Sequence, residues 1–264
     1  MGLNNSAVFL PGRGIPFVAA PDTAPPDYKT MTPSNPGDGW TALGHTSRDN
    51  NASYTKNGGE AETKGTWWTP AFRTTYTDVN WLLTVNSLQI DRTTLDLAFN
   101  GVVDPEDYGY IVPSAITAVE RALFILAVDG TERLGLYNPR ASITLGDAPS
   151  FDPSSFFEVP LSASVLDSEE LGGIMKWYHP ALEPAAITSA LEADQGAGDT
   201  VTLTGSNLGG VLGVTVGGTP VTSFIVNSNT SITIVLPAGA AGSAPIVATN
   251  QNGPSNPQAY TRTV

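Results

Sequence analysis

The stretch TVTLTGSNLGGVLGVTVGGTPVTSFIVNSNTSITIVLPAG, residues 200–239, decides the fold class of the chain. Val201 and Leu203 alternate with Thr200, Thr202 and Thr204; Val214 and Val216 flank Thr215; Ile232, Ile234 and Leu236 alternate with other positions. A period of two sends one set of side chains to a buried face and the other to water, which is the pattern of a half-buried strand. Between the runs stand Gly205-Ser206-Asn207, Gly217-Gly218, Asn227 to Asn229 and Pro237-Ala238-Gly239, residue types that turns require. Short strands separated by such turns predict a β-sandwich.

Composition extends this reading to the whole chain. With 264 residues, 41% of them hydrophobic and 14% charged, the protein can bury a core of two domains or of one large β-domain. The 27 glycines and 21 prolines follow no collagen period and mark a turn-rich, all-β chain. Cysteine is absent, which excludes a disulfide framework and a thiolate metal site. Twelve basic against 25 acidic residues leave a net charge of −13, which repels phosphate and removes the counterion-release basis of nucleic-acid affinity. The same sign suits a wall past which DNA slides without sticking. There is no run of about 18 apolar residues to span a bilayer. The start, MGLNNSAVFLPGRGIPFVAAPD, lacks the features of a secretory signal, so a cytoplasmic product with no membrane partner is expected.

Charge and aromatic content divide the chain near residue 182. Residues 183–264 hold Glu183, Glu192, Asp194, Asp199 and one base, Arg262, so the first 182 residues carry −10 of the net charge. Trp40, Trp67, Trp68, Trp81 and Trp177 all precede the boundary, and HPALEP, 179–184, reads as the linker. The predicted domains are an extended, proline-rich N-terminal arm over 1–39, a second domain over 40–182 and a sandwich over 183–264. Within the second, Trp40–His45 reads as a strand and Ser47–Gly65 as a polar hairpin loop. Two strands, 67–77 and 79–90, meet at Thr77-Asp78. One short helix follows, with Asp91 as N-cap, Leu95 and Phe99 four apart on one face and Gly101 as the left-handed terminal residue. Residues 115–128 and 133–145 flank a turn at Asp129-Gly130-Thr131-Glu132, and Phe157–Leu166 supplies a last strand.

Two families resemble these halves. The order Pro184, Ile187, Gly198, Val201-Thr202-Leu203, Gly205, Asn207-Leu208, Val214 to Gly218, Phe224, Ile232 to Val235, Pro237, Gly242 and Gly253 resembles the IPT/TIG class of immunoglobulin-like domains. The stretches GWTALGHTSRDNNASYTKNGG (39–59), TVNSLQIDRTTLDLAFNG (84–101) and RALFILAVDGTERLGLYNPRAS (121–142), with VPLSASVLDSEELGG from residue 159, resemble the major tail (tail tube) proteins of siphophages infecting actinobacteria. The second resemblance implies a β-sandwich or barrel subunit that forms six-membered rings stacked into a hollow tube, with an immunoglobulin-like domain projecting outside. Its partners would be further copies of itself, a tape measure protein and a tail terminator; DNA would pass through without specific binding, and no cofactor is implied.

The residues offer little chemistry to set against a structural role. His45 and His179 stand about 130 residues apart without a zinc-ligand spacing, and each reads as a turn or linker histidine. The carboxylate clusters at Glu60 and Glu62, at Asp104, Glu106 and Asp107, and at Glu169-Glu170 fall in polar loops, where solvated charge is the ordinary reading. No catalytic, cofactor or metal residue is assigned. Trp67 and Trp68, read as consecutive strand residues, point to opposite faces, so one is either exposed or buried by another subunit. Tyr54 and Lys56 are further inter-subunit candidates. Asp78, Asp104, Glu106, Asp107, Asp129 and Glu132, at strand ends, are the candidates for a tube lumen. The competing function is a bacterial surface adhesin or carbohydrate-binding protein built from immunoglobulin-like domains, which would need an export signal.

Overall fold

The structure is a computed structural model that describes residues 7–189 and 195–262. It separates into two compact units, one of Pro11–Tyr178, the other of His179–Val264 with the described residues up to Leu10. The division falls between Tyr178 and His179, so HPALEP opens the second unit. There it forms a 3-10 turn, Pro180–Leu182, whose Ala181 N–H donates to Nδ1 of His179 at 3.1 Å.

The first unit contains β1 (Arg13–Ala19), β2 (Thr41–Ala42), β3 (Ser53–Gly58), β4 (Ala61–Lys64), β5 (Arg73–Tyr76), β6 (Val79–Ser87), α1 (Arg92–Phe99), β7 (Val102–Val103), β8 (Tyr110–Ile111), β9 (Val119–Asp129), β10 (Glu132–Leu145), β11 (Val159–Val165) and β12 (Lys176–Tyr178). Its main sheet runs β2-β1-β9-β10-β11-β6-β3, with β12 also on β10, and does not close into a barrel. The sequence of β9, VERALFILAVD, shows why the sheet is central: a near-continuous apolar run is the mark of a strand covered on both faces. Leu123 and Ile125 join Leu83, Val85, Ile143, Leu161 and Leu97 of α1 in one core, whereas Phe124 and Leu126 join Phe17, Tyr28, Met31, Trp40 and Tyr137 in another.

Local signals are met closely at α1 and at the β9–β10 turn. Asp91 caps α1 by accepting the Thr94 N–H at 2.9 Å. The left-handed C-terminal residue is Asn100 (φ 49°), not Gly101; asparagine tolerates that conformation, and Gly101 is instead required because a Cβ there would lie 2.2 Å from the Ile111 carbonyl oxygen. Asp129 faces Glu132 across Gly130-Thr131, and Gly130 has φ 56°.

The proline-rich start is the main departure. Residues 1–6 lie outside the described residues, but Arg13–Ala19 are not a free arm: β1 pairs with β9 from Arg13↔Val128 to Ala19↔Ala122 and buries Phe17 completely. Pro16 is tolerated because its carbonyl, and hence its nitrogen, faces the β2 side, where the ladder reaches only Phe17 and Val18. Residues 20–40 are then strapped across that face. The Trp40 indole donates to Ala24 O at 2.9 Å, the Tyr137 hydroxyl to Thr23 O at 2.8 Å, and Arg133 to the carbonyls of Tyr28 and Met31.

The second unit is a sandwich. One sheet runs β13 (Ala186–Ile187), β14 (Thr200–Ser206), β18 (Ser231–Val235), β17 (Ser223–Ser228); the other runs β16 (Thr219–Pro220), β15 (Val211–Val216), β20 (Ile246–Asn250), β21 (Gly253–Pro254). A short pair, β19 (Gly242–Ser243) with β22 (Thr261–Arg262), completes it. Val201, Leu203, Val214, Val216, Ile232, Ile234 and Leu236, the alternating positions of the sequence, are all buried in its core.

Burial first, with Asp22, Tyr178 and Glu170 adding to it, pushes the Tyr137 phenol up from 10.0 to about 12. The fold holds the neutral form, so this contribution is complete below pH 10 and is lost as pH rises towards about 12. Tyr137→Phe should cost about 1 kcal/mol at neutral pH, by leaving Thr23 O without its donor, and should shrink the alkaline loss of stability. Melting temperatures of both proteins across that window check this; an identical alkaline fall in the variant would refute it.

Candidate assembly surface

At the edge of the main sheet β3 and β4 run out, and β5 and β6 return, as one long hairpin. Its root is fixed by β6, which pairs with β11 and buries Leu83 and Val85. Tyr54 packs against the same core and its hydroxyl bonds Oδ1 of Asn138; burial pushes its pKa upward. Beyond the root the ribbon has no core of its own, since no residue from Thr55 to Leu82 is buried.

The register passes through the whole hairpin without slipping: Gly58 faces Val79, and three residues further along both strands Ala61 faces Tyr76. The join between β3 and β4 is made by Gly58 (φ 81°) and Gly59 (φ 76°), and by Thr77, whose N–H donates to Glu60 O at 3.1 Å while its Oγ1 accepts the Glu60 N–H at 3.1 Å. A Cβ on Gly58 would lie 2.0 Å from the Asp78 carbonyl oxygen, so only glycine fits. Alternation gives β4 and β5 two unlike faces, Ala61, Thr63, Thr74 and Tyr76 on one and Glu62, Lys64, Arg73 and Thr75 on the other. Lys64 stands directly opposite Arg73, a like-charge pair that destabilises an isolated ribbon. Glu62, 3.6 Å from Lys64 but exposed, offsets little of this.

The hairpin ends in a tight turn. The Thr66 N–H donates to Thr69 O at 2.8 Å, and the Thr69 N–H returns to Thr66 Oγ1 at 3.1 Å. Trp67 and Trp68 are the two central residues of that turn rather than strand residues, and both are fully in solvent, at 102% and 95% of maximal exposure. The expected turn at Thr77-Asp78 is thus a mid-ribbon kink, and the expected loop Ser47–Gly65 is largely strand. Phe72, Tyr76 and Val79 add exposed apolar surface that sequence reasoning did not single out; the available signal was an apolar series with no partner face in the same unit.

The remaining predicted residues lie in separate places. Lys56 is exposed and faces Trp81 across the ribbon, whereas Tyr54 is held inside its own subunit. Asp78 sits at the kink. Asp104, Glu106 and Asp107 share the turn between β7 and β8, where Asp104 accepts the Glu106 N–H and Asp107 the Gly109 N–H, both at 2.8 Å. The neighbouring Tyr110 donates to Asp96 at 2.8 Å; burial and that bond raise its pKa. Asp129 and Glu132 form the last pair, across the β9–β10 turn. Beside the hairpin root a groove of about 960 Å³ is floored by Leu82 and Thr84 of β6 and Pro160 and Ser162 of β11, and carries Asp49, Asp147 and Glu158 against one base, Arg48. Among the described residues no group of three or more His, Cys, Asp or Glu is placed to hold a metal, and no helix is long and apolar enough to cross a membrane.

Comparison with known proteins follows the division of the chain. A family model for the phage tail tube protein matches residues 1–189, and one for the IPT/TIG domain matches residues 187–262. The major tail protein Gp23 of Mycobacterium phage L5 is 31% identical over 180 residues, covering 64% of this chain and 90% of that one. Its counterpart in Mycobacterium phage D29 is 29% identical over 182 residues with the same coverage. Among solved structures, a gamma-CGTase from alkalophilic Bacillus clarkii covers 56% of this chain and 24% of its own at 16% identity, with a TM-score of 0.28, too low to carry an argument.

Gly58→Ala should distort the ribbon while leaving both cores intact. Trypsin should then cut at Lys64 and Arg73 faster than in the native protein, because the strain at this left-handed position falls on the ribbon and opens it locally. Equal cutting rates would show that the kink does not order the hairpin.

Proposed function

The chain belongs to the phage tail tube protein family, and we propose that it polymerises into stacked six-membered rings that form the conduit for DNA ejection. Being a phage tail structural protein with an IPT/TIG domain, it needs a surface that seats one copy on the next. The observation that carries the reading is the hairpin with Trp67 and Trp68 fully exposed at its tip. Burying a tryptophan removes on the order of 150–250 Å² from water, and tryptophan is enriched among interface anchors.

The tip and the groove at its root complement each other across copies. Lys64 and Arg73, opposed within one ribbon, would meet Asp49, Asp147 and Glu158 in the groove of the next. Such a head-to-tail contact uses two different patches, which generates rings or filaments rather than closed pairs. Tube length and closure would be set by a tape measure protein and a tail terminator. Assembly takes place in the host cytoplasm, and the tube contacts lie in the first unit, so the second is not needed for it.

Electrostatics supports passive conduction. Six copies of the −10 borne by the first 182 residues place −60 in each ring. Acidic groups at Asp78, Asp104, Glu106, Asp107, Asp129 and Glu132 would repel phosphate along the lumen, where a ring of exposed bases would retain it. The same charge opposes assembly over a screening length of about 10 Å at 0.1 M salt, so polymerisation should strengthen as salt rises.

Negative-stain images of the purified protein should show rings or tubes, and the doubly substituted Trp67→Ala/Trp68→Ala protein should stay dispersed with an unchanged melting temperature. Tubes formed equally by the variant would exclude the hairpin tip, and dispersed native protein at all salt concentrations would overturn polymerisation itself.

A further inference from the structure

The second unit carries one sheet edge unlike the others. β13, β16 and β21 are two residues each, and β16 and β21 contain Pro220 and Pro254. Brevity and proline are devices by which sheets avoid pairing with other chains. β17, SFIVNS, is six residues long, contains neither proline nor charge, and bonds β18 on one side only among the described strands. It also exposes Ile225 at 66% and Val226 at 36%. Its surroundings are equally neutral, for no Asp, Glu, Lys or Arg stands between Asp199 and Arg262.

We propose that β17 pairs antiparallel with β17 of a second copy, joining C-terminal units two by two. The strand is self-complementary about Ile225. In that register Ile225 faces itself and Phe224 faces Val226, so apolar meets apolar on both sides of the centre. Each copy presents the same patch, which makes the contact isologous and closed. The bulge between Val226 and Ser228 ends the regular ladder and confines the new pairing to the neighbourhood of Ile225. No charge opposes the approach, in contrast to the acidic first unit, so this pairing should be nearly insensitive to salt. It is independent of the tube contacts, which lie on the other unit.

The absence of cysteine makes the register directly testable. Directly opposed residues of an antiparallel pair have Cα atoms about 4.5–5.5 Å apart, within the span of a disulfide. In the full chain carrying Trp67→Ala/Trp68→Ala, so that tubes do not bring copies together, Ile225→Cys should oxidise to a covalent dimer that reductant dissolves. Leu212→Cys, at 73% exposure on the other sheet, should not. Ile225→Lys, which sets two ammonium groups face to face, should lose the dimer in sedimentation without a change in melting temperature. No excess of dimer for Ile225→Cys over Leu212→Cys, or an undiminished dimer for Ile225→Lys, overturns the proposal. Electron micrographs of the same substitutions at position 225 in the chain with native tryptophans report tube formation separately, so failure of one reading leaves the other intact.

Discussion

A two-stranded ribbon cannot bury either of its own faces, and this constraint organises the first unit. β3 to β6 hold together by backbone pairing in one continuous register, yet a hairpin of that kind is marginal in water without a third layer. Ordering each of its residues costs about 1–2 kcal/mol of backbone entropy. The root recovers part of that through Leu83, Val85 and Tyr54, which belong to the core. The outer half recovers none within the subunit. A surface ending in two fully exposed tryptophans and a lysine opposite an arginine gains nothing from burial within the monomer, and the rest of the unit holds its root.

The root is held because the central strands are covered on both faces. β9 and β10 stand in the middle of the sheet, with α1 against one face and the strapped segment 20–40 against the other. Phe17, which the proline-rich start brings in from the chain's beginning, lies on the same side as Trp40 and Tyr137. A segment with little periodicity thus closes the second core, and the prolines around it fix the strap's path rather than prevent packing.

What could be read in advance follows from where information is local. The C-terminal sandwich was legible because Val201, Leu203, Val214, Val216, Ile232 and Ile234 alternate with polar neighbours, and a one-residue slip would turn all of them outward. Asp91 and the Asp129–Glu132 turn were legible because capping and turn chemistry act within four residues. β1 was not, because Pro16 lacks an N–H and so argues against a strand, and only the fold shows that its nitrogen faces the β2 side, where the ladder reaches just Phe17 and Val18 and asks for no donor. The hairpin was legible in its returning half only: β5 and β6 fall within the expected strands 67–77 and 79–90, whereas β3 and β4 lie in the polar stretch Ser47–Gly65, exposed on both faces, where nothing in the pattern separates paired strands from loop. Trp67-Trp68 reads as strand until the tip turn is seen. The lumen candidates lie in separate turns of the unit, because facing a channel is a property of an assembly and leaves no pattern in one subunit.

The central claim is that another copy covers the hairpin tip on assembly, and tryptophan emission measures it most directly. Trp67 and Trp68 are fully exposed in the subunit, whereas Trp40 is buried already. Polymerisation should therefore shift the emission to the blue and shield it from a soluble quencher, and phenylalanine at both positions should abolish the change. Tubes whose emission and quenching match those of the dispersed protein would contradict the account.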